Sequence, residues 1–353
     1  MTLRVALLGY GRIARLVHLS ALERLPGVEV VAVAELDPTR RAQGLRRVPG
    51  ARGYADWAEA LAAAECDAVV VCLPNALHAE AAAAAFRTGK HVYLEKPLAT
   101  DAEGAERALA AWRESGRVGM IGFNYRVNAL VEAARARLSA GRIGEVVGMA
   151  TVFSAAEREL PEWKRRRASG GGALLDKGSH HVDLVHHLLG LEVREVFGTV
   201  WSKRTEDDNA ALTLRLEGGA LVQSLFSLSS ADADRLEVHG GRGRLELDRL
   251  RSLDVRVDLP DADGSPLGRL AAAVRAAARG PYGWRRILRP ASESSYAAAL
   301  GRFAAAALAG RPARPDLWDG WRSLRVLLAA EESARAGRPV ALPELADADP
   351  PRP

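Results

Sequence analysis

The stretch GGGALLDKGSHHVDLVHH, residues 170–187, gathers two aspartates, a lysine and four of the chain's eight histidines behind a run of glycines. Such residues transfer protons, grip hydroxyl groups or ligate metals. A helix beginning near Ser179 puts His180, Asp183 and His187 on one face, with Asp176 just before it. Asp176, His180 and Asp183 are the available metal set. Zinc wants three or four ligands in closed geometry, and histidine-rich helices mostly carry surface imidazoles, so no metal is expected. The other reactive candidate is Lys96, in EKP at 95–97. Lysine occurs only at positions 90, 96, 164, 177 and 203 of a chain with 49 cationic residues. Arginine stays protonated and lysine need not, so each lysine is an informative choice.

These groups must be positioned by the elements around them. LRVALL at 3–8 reads as a buried strand. GYGRIA at 9–14 follows it, then a helical pattern from Arg12 to about Leu25, then an apolar run at 28–36. The turn matches G-x-G-x-x-G/A with Gly9, Gly11 and Ala14, a dinucleotide fingerprint whose helix N-terminus receives the pyrophosphate. Gly9, Tyr10, Gly11, Arg12 and Ile13 are its candidate cofactor contacts. Glu35 closes the second strand, where a carboxylate accepts the ribose hydroxyls and repels a 2′-phosphate. That favours NAD over NADP, although Arg40 and Arg41 stand just beyond, and Glu35 may be read instead as starting a turn that Asp37-Pro38 completes. Strands at 67–74, 90–97 and 117–125 alternate with helices at 76–88 and 101–115. The pattern implies a doubly wound parallel sheet with ligands beyond the carboxyl ends of its strands. Leu73, Pro74, Asn75, His78, Glu95, Lys96 and Asn124 fall there.

From Val193 to about Val257 short alternating runs separated by Gly218-Gly219 and Gly240-Gly241 read as an antiparallel meander. At 353 residues two domains are expected: a Rossmann domain over 1–122, and an α/β substrate-binding and oligomerisation domain over 123–353. Apolar residues at 48% and charged residues at 26% fit a soluble globular chain. The net charge of +5 is scattered and aromatics are 5%, so nucleic acid is not an expected partner. No apolar run approaches membrane-spanning length, and no signal peptide is expected from the residues that lead into the first strand. Cys66 and Cys72, both in apolar context, fit a reducing cytoplasm.

At GKHVYLEKPLA the chain resembles the glucose–fructose oxidoreductase/inositol dehydrogenase family (Gfo/Idh/MocA), which reads GkHV-x-x-EKP at this strand. The glycine turn, LPNALHAE at 73–80, GGGALLDKGSHHVDL at 170–184 and the closing segments from 295 onward match as well. The resemblance implies a Rossmann domain followed by an α/β domain with a large, mostly antiparallel sheet. The open face of that sheet commonly forms an oligomer interface, here of a homodimer or homotetramer. It makes Asp176 and His180 active-site residues. His180 is then the general base, with an ordinary pKa of about 6.5, and Asp176 binds the reacting or adjacent hydroxyl. In the EKP context Lys96 is catalytic, losing its proton more readily near a cationic nicotinamide.

Several further expectations follow from position. Glycines 170–172 bring the backbone close to ligand or cofactor, Gly178 makes a turn and Ser179 caps the helix. His181, His186 and His187 go to helix surface or domain packing, and Asp183 supports the histidine or sits in the first helical turn. Asn124 and Arg126 face the cleft and bind substrate. WKRRR at 163–167 reads as a solvated loop or as a clamp, led by Trp163, for a substrate carboxylate or diphosphate. The expected function is hydride transfer between NAD and a secondary alcohol or ketone of a sugar, cyclitol or sugar derivative, sugar acids and nucleotide sugars included. The alternatives are a redox-assisted glycoside hydrolase of the same family and a non-catalytic cofactor sensor.

Overall fold

The structure, a computed structural model, describes residues 2–259 and 293–345; Met1, and residues 260–292 and 346–353 of the expected second domain, lie outside the described residues. Strand β1 (Leu3–Leu8) passes through Gly9 into a π-helical turn at Ala14–His18 and the short helix α1 (Leu19–Leu22). Next come β2 (Val28–Ala34), α2 (Pro38–Arg47), β3 (Arg52–Tyr54), α3 (Trp57–Ala63) and β4 (Ala68–Val71). Then follow α4 (His78–Arg87), β5 (His91–Leu94), α5 (Ala102–Ser115) and β6 (Gly119–Ile121). The six strands pair in parallel in the order β3-β2-β1-β4-β5-β6. Runs such as LRVALL and AVVV are buried on both faces, as a helix-covered parallel sheet requires. The crevice between β1 and β4, where the strand order reverses, is the ligand position of such sheets.

The chain continues with α6 (Ala129–Ser139), β7 (Val146–Ser154) and α7 (Ser179–Leu189). Strands β8 (Val193–Trp201), β9 (Asn209–Leu216), β10 (Leu221–Ser227), β11 (Ala233–Gly240), β12 (Gly243–Asp248) and β13 (Arg256–Asp258) follow. Helices α8 (Ser295–Ala309) and α9 (Leu317–Ala336) and the short strand β14 (Val340–Ala341) close the described chain. The second sheet runs β13-β12-β11-β7-β10-β9-β8-β14. It is not the simple meander expected from 193–257. Strand β7 inserts between β10 and β11 and pairs with β10 in parallel, because a strand from earlier in the chain is free to fill that slot.

One face of this sheet is packed against α7 and α9. Gly198 makes the closest approach, since a Cβ there would lie 2.5 Å from the Ala330 carbonyl oxygen of α9. Helix α8, far along the chain, returns to the first sheet: Leu300 and Phe303 join the core that contains Leu7, Tyr93 and Met120. No helix among the described residues is long and apolar enough to cross a membrane.

A buried ionic knot ties the elements together. Arg126 follows β6, and its guanidinium meets the Asp183 carboxylate of α7 at 2.6–3.1 Å and Asp319 of α9 at 3.1 Å. Burial pushes Asp183 up to about 6 even with Arg126 opposing it. Removing one member of such a knot strands a buried charge. Arg126→Leu is expected to cost about 3–5 kcal/mol in urea unfolding at neutral pH. In that variant the stranded Asp183 has a raised folded-state pKa, so the loss shrinks as pH falls toward 4 and the carboxyl protonates. A cost below about 1 kcal/mol, or one that grows in acid, contradicts the assignment.

Candidate active site

Lys96 stands just past the end of β5. Its Nζ donates to the Asp176 carbonyl oxygen at 2.8 Å and reaches Asp176 Oδ1 at 3.3 Å, with 13% of the side chain exposed. Burial draws its pKa below the usual 10.5, with Asp176 pulling the other way. Asp176 belongs to a π-helical turn, Leu174–Gly178, that runs without a break into α7. The expected N-terminus at Ser179 is therefore displaced. Gly178 has helical φ −58° and makes no turn, and the Ser179 hydroxyl donates to the Leu175 carbonyl rather than capping the helix. The π-turn, a wide turn that re-aims side chains and recurs at functional sites, carries Asp176.

A second lysine, absent from the sequence-based site, completes the pair. Lys164 Nζ donates to the same Asp176 Oδ1 at 2.8 Å. Burial alone would raise the Asp176 pKa, but Lys164, Lys96 and Lys177 together hold it well below the usual 3.8. The 163–167 segment is thus not simply a solvated loop. Lys164 enters the site, and Arg167 pairs with Glu331 of α9 at 2.5 Å. Trp163 is half-buried, its ring 5.4 Å from the Lys164 ammonium. The lysine pattern was the available signal, since three of the chain's five lysines surround one carboxylate.

His180, one helical turn on, stacks on Tyr125 at 4.2 Å and 16°, with Phe123 and Phe153 also against it. Its Nδ1 is sealed without a partner, which leaves Nε2 as the nitrogen able to meet a ligand. Burial first, then the Lys96 and Arg249 charges, drive its pKa well below 6.5. The expectation of an ordinary value fails because the imidazole sits in an aromatic box. Tyr125 also lies 3.5 Å from the Arg249 guanidinium, which pairs with Asp234, itself bonded to His181 at 3.1 Å. His181 and His186 are buried, so they pack inside the domain and form no helix surface.

The cofactor edge is built by the first sheet. Gly9 has φ +92°, and a Cβ there would lie 2.6 Å from the Cys72 carbonyl oxygen, whereas a Cβ on Gly11 would meet nothing within 4 Å. The first glycine is demanded by the fold and the second leaves open backbone. Glu35 Oε2 accepts the Tyr10 amide at 3.0 Å, and Oε1 accepts Arg40 at 2.6 Å. Asp37 caps α2, as the Asp37-Pro38 reading of this corner expects. Arg12 is exposed, Ile13, Leu73 and Pro74 are half-exposed, and the Tyr10 side chain is buried in the core.

Five expected contacts take other partners. Both His78 ring nitrogens face carbonyl oxygens, Pro97 at 2.7 Å and Leu73 at 2.9 Å, so this side chain splints two loops instead of touching cofactor. The Glu95 carboxylate is bonded to His18 at 2.6 Å, beneath Gly122, and positions the start of the EKP loop. Asn75 donates to the Gly170 carbonyl at 2.7 Å. Asn124 is 0% exposed and donates to Ser295, so it has no surface for a substrate. Arg126 is committed to Asp183 and Asp319. Likewise glycines 170 and 171 serve packing against protein: a Cβ would lie 2.5 Å from Asn75 Cβ at Gly170 and 2.3 Å from the Lys164 carbonyl oxygen at Gly171. Among the described residues no cluster of three His, Cys, Asp or Glu side chains is arranged for a metal.

Comparison with known proteins shows the family and the fold. Residues 3–123 match the family described as oxidoreductase, NAD-binding Rossmann fold, and residues 131–246 match the GFO/IDH/MocA C-terminal domain. The chain is 34% identical over 254 residues to a dTDP-3,4-didehydro-2,6-dideoxy-alpha-D-glucose 3-reductase of Actinomadura kijaniata, covering 70% of this chain and 75% of that protein. It is 31% identical over 279 residues to inositol 2-dehydrogenase of Rhizobium meliloti (strain 1021), covering 75% and 82%. The crystal structure of aldose-aldose oxidoreductase from Caulobacter crescentus, complexed with glycerol, superposes with TM-score 0.81 at 25% identity, over 97% of this chain and 100% of that one.

The two glycines make separable predictions. Gly11→Ala leaves the melting temperature unchanged and weakens NADH binding at least about tenfold, because the added methyl stands where backbone and pyrophosphate approach. Gly9→Ala destabilises the fold itself, by about 1–3 kcal/mol. Fluorescence titration with NADH and thermal melts check both; equal effects of the two substitutions contradict the division of labour.

Proposed function

The chain belongs to the GFO/IDH/MocA oxidoreductase family, and from that premise we propose that it transfers a hydride between NAD and a secondary alcohol or ketone of a sugar, cyclitol or sugar derivative. Relatives named for a dTDP-sugar, an inositol and aldoses support that substrate class. The observation that carries the reading is the meeting of Lys96, from the first domain, with Asp176 and His180 from the second. The Gly9–Gly11 backbone and the Glu35 carboxylate fit NAD: the glycine turn is open and the acid stands at the end of β2 beside the Tyr10 amide. The Glu35 carboxylate favours ribose hydroxyls over a 2′-phosphate, and Arg40 is engaged on its Oε1.

NAD, when bound, supplies the hydride acceptor or donor. The protein's own groups handle the proton. The buried Lys96 Nζ, with its depressed pKa, reaches the neutral amine more readily than a surface lysine and takes the hydroxyl proton; in reduction the ammonium returns it. Asp176, anionic throughout, fixes Nζ and accepts from a neighbouring hydroxyl. Neutral His180, with its sealed Nδ1 unprotonated, donates from Nε2–H to the reacting oxygen, which accepts that bond as its own proton leaves to Lys96. We also read the open face of the second sheet as a homo-oligomer contact, because Phe197, Trp201, Leu221 and Leu225 are each 42–50% exposed there. The two free buried thiols suit a cytoplasmic setting.

Lys96→Met is expected to lower turnover about 10²- to 10⁴-fold on whichever polyol a panel identifies by NADH formation. In the wild type, kcat/KM for oxidation rises with pH through a limb set by Lys96, below 10.5. It shows no break near 6.5, since His180 is already neutral there. Near wild-type turnover in Lys96→Met, or a limb at 6.5 abolished by His180→Asn, contradicts the proposal.

A further inference from the structure

Lys177 has no part in the chemistry above, and its surroundings are unusual. The residue is 8% exposed, and its ammonium lies 4.1 Å from the centroid of Phe153. The same ring stands 6.1 Å from His180. Among the described residues the ammonium has neither hydrogen bond nor ion pair, so three donors are unspent beside the catalytic pair. An aromatic face compensates a buried cation only in part. The charged groups that bear on it are Asp176, Lys96, Arg158 and Lys164. Four cations, Lys177 included, thus gather about the Asp176 carboxylate, Glu95 adding to it from the Lys96 side, and the oxidised nicotinamide brings another positive charge. A neutral sugar leaves that excess uncompensated. A ligand oxyanion satisfies both the open donors and the field.

Resting on the dehydrogenase reading, we propose that Lys177, with the exposed Arg158 beside it, binds an oxyanion of the substrate, so that the preferred substrate is a sugar carrying a carboxylate or phosphate. Phe153 sets the distance: it touches both the His180 imidazole and the Lys177 ammonium, placing the anion close to the reacting carbinol. Burial, then Lys96 and Arg158, draw Lys177 down to about 8. An anion in contact with it restores the proton.

The test uses matched ligands on gluco and galacto skeletons: the neutral aldose, its uronate and its 6-phosphate. Binding is measured by calorimetry with and without NADH, and kcat/KM with NAD. The acidic member is expected to exceed the neutral one by about 10- to 100-fold, the effect of a charged hydrogen bond. In Lys177→Met this ratio falls at least about tenfold, and in Lys177→Arg most of it is kept. The uronate and phosphate arms tell which oxyanion fits. A wild-type ratio of one or less, a ratio unchanged in Lys177→Met, or no binding of any acidic member overturns the proposal. Absence of NADH binding or of NADH turnover strikes the dehydrogenase reading instead, because the ligand-binding ratio reads Lys177 without turnover.

Discussion

The contact between the Lys96 ammonium and Asp176 is the constraint around which this molecule is arranged. It joins the end of a strand in one sheet to a helix that packs on the other, and both groups are largely out of water. Charges in that position persist only when their geometry is enforced. The enforcement is visible on each side. Glu95, next to Lys96, is bonded to buried His18, and His78 bridges the Leu73 and Pro97 carbonyls. Asp176 is aimed by a π-turn and shared with Lys164. Burial, with the Lys164 charge adding to it, leaves Lys96 with a weakened hold on its proton in spite of the Asp176 carboxylate.

A second charge system, spatially separate, leaves the first free for chemistry. Arg126, Asp183 and Asp319 satisfy one another where α7, α9 and the segment after β6 meet. The Arg249–Asp234–His181 chain does the same below the second sheet. Of the residues that the sequence assigns to substrate, these knots absorb Arg126. What remains around the Asp176 carboxylate is small: the Lys96 amine, the Lys164 and Lys177 ammonium groups and the neutral His180 imidazole.

Much of this was legible in the amino-acid order. The β1–glycine–helix unit is local, so Gly9, Gly11 and Glu35 announced both the fold and the cofactor edge. Lys96, Asp176 and His180 were readable through motif resemblance. Asn124 and Arg126 turn away from the expected role because a strand-end position does not reveal which way a side chain turns, and their partners, Ser295 for the first and Asp183 and Asp319 for the second, lie far along the chain. Lys164 is hidden for the mirror reason: the composition of its loop suggests solvent, yet its ammonium turns inward to Asp176. The His180 pKa depends on three rings from distant segments, and no single-sequence pattern reports such a box. Insertion of β7 into the second sheet is equally non-local, since alternation marks strands and leaves their order open.

The most direct test is a crystal structure of the protein with NADH. The account predicts the dinucleotide over the Gly9–Gly11 bend, its ribose at Glu35, and the nicotinamide ring beside both Lys96 Nζ and His180 Nε2. A nicotinamide lodged elsewhere, or those two nitrogens opening into different cavities, would contradict it.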